Sequence, residues 1–115
     1  MPVVEPGTAW SSEPPGPEPE LHLVTRLADA RAWSMCASRQ AAGARVRVVL
    51  LHDAVLETEA GIRRHLGLPD SAPVLVTVLA CARDAVGRGV GERWALVDYL
   101  EIIRLSAESQ PLICW

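Results

Sequence analysis

The chain lacks lysine, a C-x-x-C pair, a glycine-rich phosphate loop and any apolar run long enough to cross a bilayer. Each absence removes a class of function. All 11 basic residues are arginine, they are outnumbered by 14 acidic ones, and the formal net charge is −3. A general nucleic-acid binder presents a clustered basic surface instead, so no direct nucleic-acid partner is expected. The missing lysine reads as codon bias and carries no functional message. Three cysteines, Cys36, Cys81 and Cys114, are an odd number without metal or framework spacing. They exclude a disulfide scaffold and a zinc knuckle and fit a reducing compartment.

No run approaches the ~18 apolar residues of a membrane span. The first residues carry Pro and Glu where a signal peptide has a charged and then an apolar region. The expected location is the cytoplasm, with no membrane partner. No G-x-G-x-x-G or P-loop follows the first apolar run, and the tight anion-binding loop of a rhodanese is missing after Cys81. Neither a cofactor nor a metal is expected.

What is present begins after a biased segment. Residues 1–20 hold six of the nine prolines, four glutamates and two glycines. Such a segment cannot bury enough apolar surface to offset its ordering entropy and reads as a disordered tail. From Leu21 short apolar runs alternate with longer mixed segments. Strands are predicted at 21–25, 46–51, 73–80, 93–97 and 112–115, and helices at 28–42, from Asp53 to about Leu66, 81–88 and 98–110. Gly43, Gly67 and Gly89 stand just past three helix ends. Asp53 is a natural N-cap, and Asp98 with Glu101 three residues on makes a variant capping box.

Strand–helix alternation with crossover-length connections predicts an α/β domain: a mostly parallel five-stranded sheet, covered on both faces, in a flavodoxin-like order. About 95 residues make a small core, because a domain this size buries only roughly 60–70% of its unfolded surface. Burial against partner subunits would add to it.

Cys81 is the leading candidate residue. The run Val74–Ala80 delivers it to a strand-to-helix junction at the carboxyl edge of the sheet, where ligands collect in open α/β folds. Unpaired N–H groups of a first helical turn favour a thiolate there, so Cys81 is expected at an accessible rim as a nucleophile. Arg83 and Arg88 add positive potential nearby and Asp84 opposes it. His52, at the end of the second strand, is placed to take a proton or act on a neighbouring thiol. Cys36 falls on the inward face of the first helix and Cys114 in the last strand, where packing is the plain reading. His22 and His65 have no motif around them.

The run Cys81-Ala82-Arg83-Asp84-Ala85-Val86-Gly87-Arg88-Gly89-Val90 resembles the active-site segment of the DsrE/DsrF/DsrH (TusD/TusC/TusB) sulfur-relay family, in which a strand-end cysteine is followed at this spacing by Arg-Gly-Val. The close of the chain, Ala95-Leu96-Val97-Asp98-Tyr99 through Ile102-Ile103-Arg104-Leu105-Ser106 to Trp115, is similar to the DsrH/TusB branch. Leu21-His22-Leu23-Val24 resembles that branch's opening strand, and Cys36 falls where some of its members also carry a cysteine. The resemblance covers residues 21–115. DsrH/TusB subunits usually have an apolar residue where this chain has Cys81, and the proline-rich segment lies outside the pattern.

The resemblance implies a subunit of a sulfur-relay complex, working with DsrE/TusD-like and DsrF/TusC-like subunits toward a DsrC/TusE-like acceptor, in tRNA thiolation or sulfur oxidation. Sulfur would pass as a persulfide, with Cys81 as carrier and Cys36, His52, Arg83 and Arg88 as auxiliary candidates. A non-catalytic assembly subunit and a small-ligand or nucleotide-binding flavodoxin-like domain are the alternatives.

Overall fold

Five strands, all parallel, lie in the order β4-β3-β2-β1-β5. They are β1 (Glu20–Val24), β2 (Val46–Leu50), β3 (Thr77–Cys81), β4 (Ala95–Val97) and β5 (Leu112–Cys114). The computed structural model describes residues 19–115 except Asp70, Pro73 and Gln110. The predicted tail therefore falls outside the described residues as far as Glu18, and so does Pro73, the expected start of the third strand. Glu20, assigned above to the tail, instead opens β1.

The expected α/β class with a parallel five-stranded sheet is the observed one. The flavodoxin-like order, 2-1-3-4-5, is not. The reason lies in burial: all five residues of β2 are buried, so it cannot serve as an edge, whereas three-residue β4 and β5 expose most of theirs. Short, exposed strands are what a sheet tolerates at its margins.

Helices α1 (Ala30–Ala41), α2 (Glu59–His65), α3 (Ala82–Gly87) and α4 (Tyr99–Glu108) fill the crossovers, with a 3-10 turn over His52–Leu56. The first three crossovers step the same way across the sheet and only the last returns. With a constant crossover hand, α1, α2 and α3 must share one face and α4 must lie alone on the other. Strand alternation agrees. Val24, Val48, Leu50 and Ala80 pack with Trp33, Cys36, Val55, Ile62 and Ala85 of the helical side. Leu21, Val49 and Cys81 pack with Ile102 and Leu105 of α4.

Capping sets the helix starts. Asp29 accepts from the Ala32 amide at 3.2 Å, Thr58 from Gly61 at 3.0 Å and Asp98 from Glu101 at 2.8 Å. Asp98 acts as its spacing predicts. Asp53 does not: Leu51 precedes the 3-10 turn, no side chain caps it, and Asp53 instead meets Arg88 Nε at 3.2 Å. Thr58, five residues on, has the free N–H groups of a real α-helix to satisfy.

Coverage of the two faces is unequal. Strand axes span about 19 Å across this sheet and a helix is about 10 Å wide, so α4 alone covers roughly half of its face. The outer side of α4 shows Leu100 at 78% and Ile103 at 64% exposure.

Candidate functional site

Cys81 is the last residue of β3 and the N-cap of α3. That junction is where the sequence places it. Its surroundings differ from the expectation of an accessible rim. Cys81 is only 1% exposed and packs among Leu21, Val49, Ile102 and Leu105. The cause is the return of α4 over the carboxyl half of β3, a contact between segments that local pattern does not reveal.

The chemistry around the sulfur also differs. Asp84 accepts hydrogen bonds from the Cys81 thiol and from the His52 backbone N–H, the latter at 2.8 Å. Burial resists charge on Asp84, but these two donors and the Arg88 guanidinium prevail and hold its carboxyl below the usual range.

Two residues beside this site hold left-handed backbone. His52 has φ 51° after β2, and Ala28 has φ 58° after β1. Side chains other than glycine adopt this region at a cost of about 1–2 kcal/mol. In each case a carboxylate clamps the strained N–H: Asp84 for His52, and buried Glu57 for Ala28 at 2.7 Å. Arg88 completes the first clamp, with Nε 3.2 Å from Asp53 and Nη1 3.7 Å from Asp84.

Among the candidate residues, Cys81, Arg88 and the His52 backbone therefore meet around Asp84. The His52 side chain is exposed and acts on Asp84 through charge alone, helping to hold that carboxyl low. Arg83 is exposed in the first turn of α3. Cys36 lies across the sheet in the other core cluster, where burial, with Glu20 adding to it, pushes its thiol up to about 12. The sheet separates Cys36 from Cys81, so sulfur cannot pass directly between them. Cys114 is exposed on edge strand β5 rather than packed inside.

Ligand sites of parallel sheets form where the winding reverses, here between β1 and β5. That opening is bridged: the Trp115 N–H donates to the Leu23 carbonyl at 2.9 Å and Thr25 Oγ1 donates to the Trp115 carbonyl at 3.0 Å. A cleft of 420 Å³ does exist between α2 and β3, with Ile62, Val74, Val76, Val78 and Trp94 as its apolar lining and the charged pair Glu59 and Arg63 beside them. It lies on the helical face, on the opposite side of the sheet from Cys81. Among the described residues no group of three or more His, Cys, Asp or Glu is arranged to hold a metal, and no helix is long and apolar enough to cross a membrane.

One polar cluster has no counterpart in the sequence reading. His22, fully buried in the middle of β1, sits between Trp115 and Glu20, and Arg39 of α1 closes the row on Glu20. Its signal was a histidine amid apolar residues of a central strand, a place where burial demands partners. Both ends of the resemblance noted above, Leu21-His22 and Trp115, meet in this contact. No family model, curated protein or solved structure matches the chain.

Proposed function

We propose that this chain is an assembly subunit of a cytoplasmic sulfur-relay complex of the DsrH/TusB kind, holding DsrE- and DsrF-like subunits in place without carrying sulfur itself. The family assignment rests on the resemblance of residues 21–115. The assembly role rests on one observation above others: α4 is apolar beyond its buried side, with Ile102 and Leu105 turned into its own sheet and Leu100 and Ile103 turned out. Glu101, Arg104 and Glu108 hold the polar side of α4, so Leu100 and Ile103 form a second apolar strip beside the buried one. An exposed apolar strip of this kind fits a contact with another chain.

Cys81 supports the same division of labour. A persulfide carrier must be reached by an incoming thiolate and must leave as one. A thiol 1% exposed and enclosed by Leu21, Val49, Ile102 and Leu105 does not meet the first condition. Co-expression with DsrE- and DsrF-like proteins tests the assembly role, with a stable co-purifying complex as the expected result. Incubation with a persulfide donor followed by mass spectrometry tests the rest: wild type and Cys81→Ser take up the ~32 Da sulfur adduct equally. Uptake that disappears with Cys81→Ser would return the carrier role to this chain, and a monomer indifferent to both partners would remove the assembly role.

A further inference from the structure

His22 is flanked by two groups that fix its protons. Trp115 Nε1, an obligate donor, lies 3.1 Å from His22 Nδ1, so that nitrogen is bare and accepts. On the other side Nε2 lies 3.4 Å from Glu20 Oε1, a long hydrogen bond in which Nε2 carries the proton. Glu20 Oε2 in turn takes Arg39 Nε at 2.8 Å and Nη2 at 2.5 Å. One neutral tautomer thus satisfies Trp115, His22 and Glu20 together. We infer that His22 and Trp115 form a proton-operated latch: neutral His22 pins the Trp115 indole, and with it β5, against β1, and a second proton on the imidazole releases both.

The step is simple. A proton from solvent adds to Nδ1, the N–H···N bond from Trp115 breaks, and two donors then face each other 3.1 Å apart. What remains on β5 is backbone pairing over three residues, the Thr25 contact and the packing of Trp115 against the core. The groups facing His22 are few. Val48 of β2 and Ile113 of β5 flank it in register, α1 brings Arg39 and the Cys36 thiol to the neighbourhood of Glu20, and Glu20 is its own strand's carboxylate.

Burial disfavours the imidazolium; Glu20 opposes that and Arg39 reinforces it, and the net effect lowers the affinity of His22 for a second proton below the ordinary value of 6.5. A group that binds protons more weakly when folded keeps its contribution above the unfolded pKa. That contribution fades as pH falls from about 6.5. Glu20, held low chiefly by Arg39, keeps its own contribution above its ordinary 4.5 and loses it as pH falls below that.

Nitrogen-15 NMR of the whole chain decides the matter. At about pH 7.5 the expected spectrum shows His22 protonated on Nε2 and bare on Nδ1. On acidification the Trp115 indole signal moves with the same midpoint as His22, while the Trp33 and Trp94 indoles stay fixed. Hydrogen-exchange protection at Ile113, Cys114 and Trp115 falls about tenfold per pH unit from about pH 6.5 down to that midpoint, and protection at Val48 and Val49 holds within about twofold. His22→Asn keeps an acceptor on the Nδ1 side and cannot titrate, so its Trp115 signal is flat over the same range. Should that variant not fold, the wild-type titration still gives the answer. A proton on Nδ1 at neutral pH, a flat Trp115 signal through the His22 titration, or loss of β2 protection together with β5 overturns the latch.

Discussion

The two faces of this sheet are built to different standards. On one, α1, α2, α3 and the 3-10 turn bury Trp33, Cys36, Val48, Leu50, Val55 and Ala85 without residual exposure. On the other, α4 stands alone, Ile102 and Leu105 keep 7% and 6% exposure, and Leu100 and Ile103 remain open. The first face is the better covered, open at the cleft between α2 and β3. The second has the composition of a core without its closure, so the domain's stability is concentrated on one side and its capacity for contact on the other. The contrast follows from topology: three crossovers in one direction and one in reverse distribute helices three to one.

The strongest challenge to this asymmetry comes from the better covered side. Trp33→Ala removes the largest fully buried side chain, which packs within the cluster shared by α1, β2 and α2. Truncations of this kind cost about 3–5 kcal/mol, against a total of about 5–15 kcal/mol for an ordinary domain. Chemical denaturation is expected to find the variant less stable by about 3–5 kcal/mol. A loss below about 1 kcal/mol would mean that the helical face is not where stability resides.

Much of this architecture is legible in the residues. The β-branched run of β2, Gly43 after α1 and the Asp98–Glu101 pair fix elements through local geometry, and local geometry is what periodicity and capping report. What escaped involves partners distant in the chain. Strand order depends on which strands can bear an edge, and β2, buried along its whole length with Arg47 as its one charged residue, cannot take the edge that the flavodoxin-like arrangement gives it. Asp53 looked like a cap because capping residues are recognised by type, whereas the 3-10 turn that follows offers no α-helical N–H groups to bond.

The candidate site was legible as a position and not as an environment. Cys81 stands at the strand end that its sequence indicates, but its depth is set by Ile102 and Leu105, which reach it only because α4 doubles back. His22 and Trp115 are 93 residues apart in sequence, and neither carries a local mark of the other. Side chains that act through one distant partner leave no periodic trace.

A smaller effect is expected from the equivalent truncation on the open face. Ile102→Ala removes a side chain that packs on Leu21, Val49 and Cys81 but retains some exposure and has loosely covered neighbours able to settle. The cost is expected near the low end of the range for such changes, about 2 kcal/mol. In the co-expressed complex the same substitution is expected to cost more than in the isolated chain, because a partner that closes this face prevents the relaxation. Equal losses in the two states, measured by denaturant titration, would place the partner elsewhere.

The smallest effect on stability is also the sharpest separation of the two faces. Leu100 and Ile103 are three residues apart, on the outward side of α4, and neither belongs to the core cluster beneath it. Replacing both with Gln keeps good helix formers at exposed positions, so the isolated chain is expected to change by no more than about 0.5 kcal/mol. The same pair is expected to abolish co-purification with DsrE- and DsrF-like subunits, since buried apolar contacts at the centre of an interface carry most of its free energy. Stability unchanged with assembly lost would assign the open face to partners. Assembly unchanged would show that the outer side of α4 is a tolerated exposure, and the edges of the sheet would then be the remaining surface on which another subunit could build.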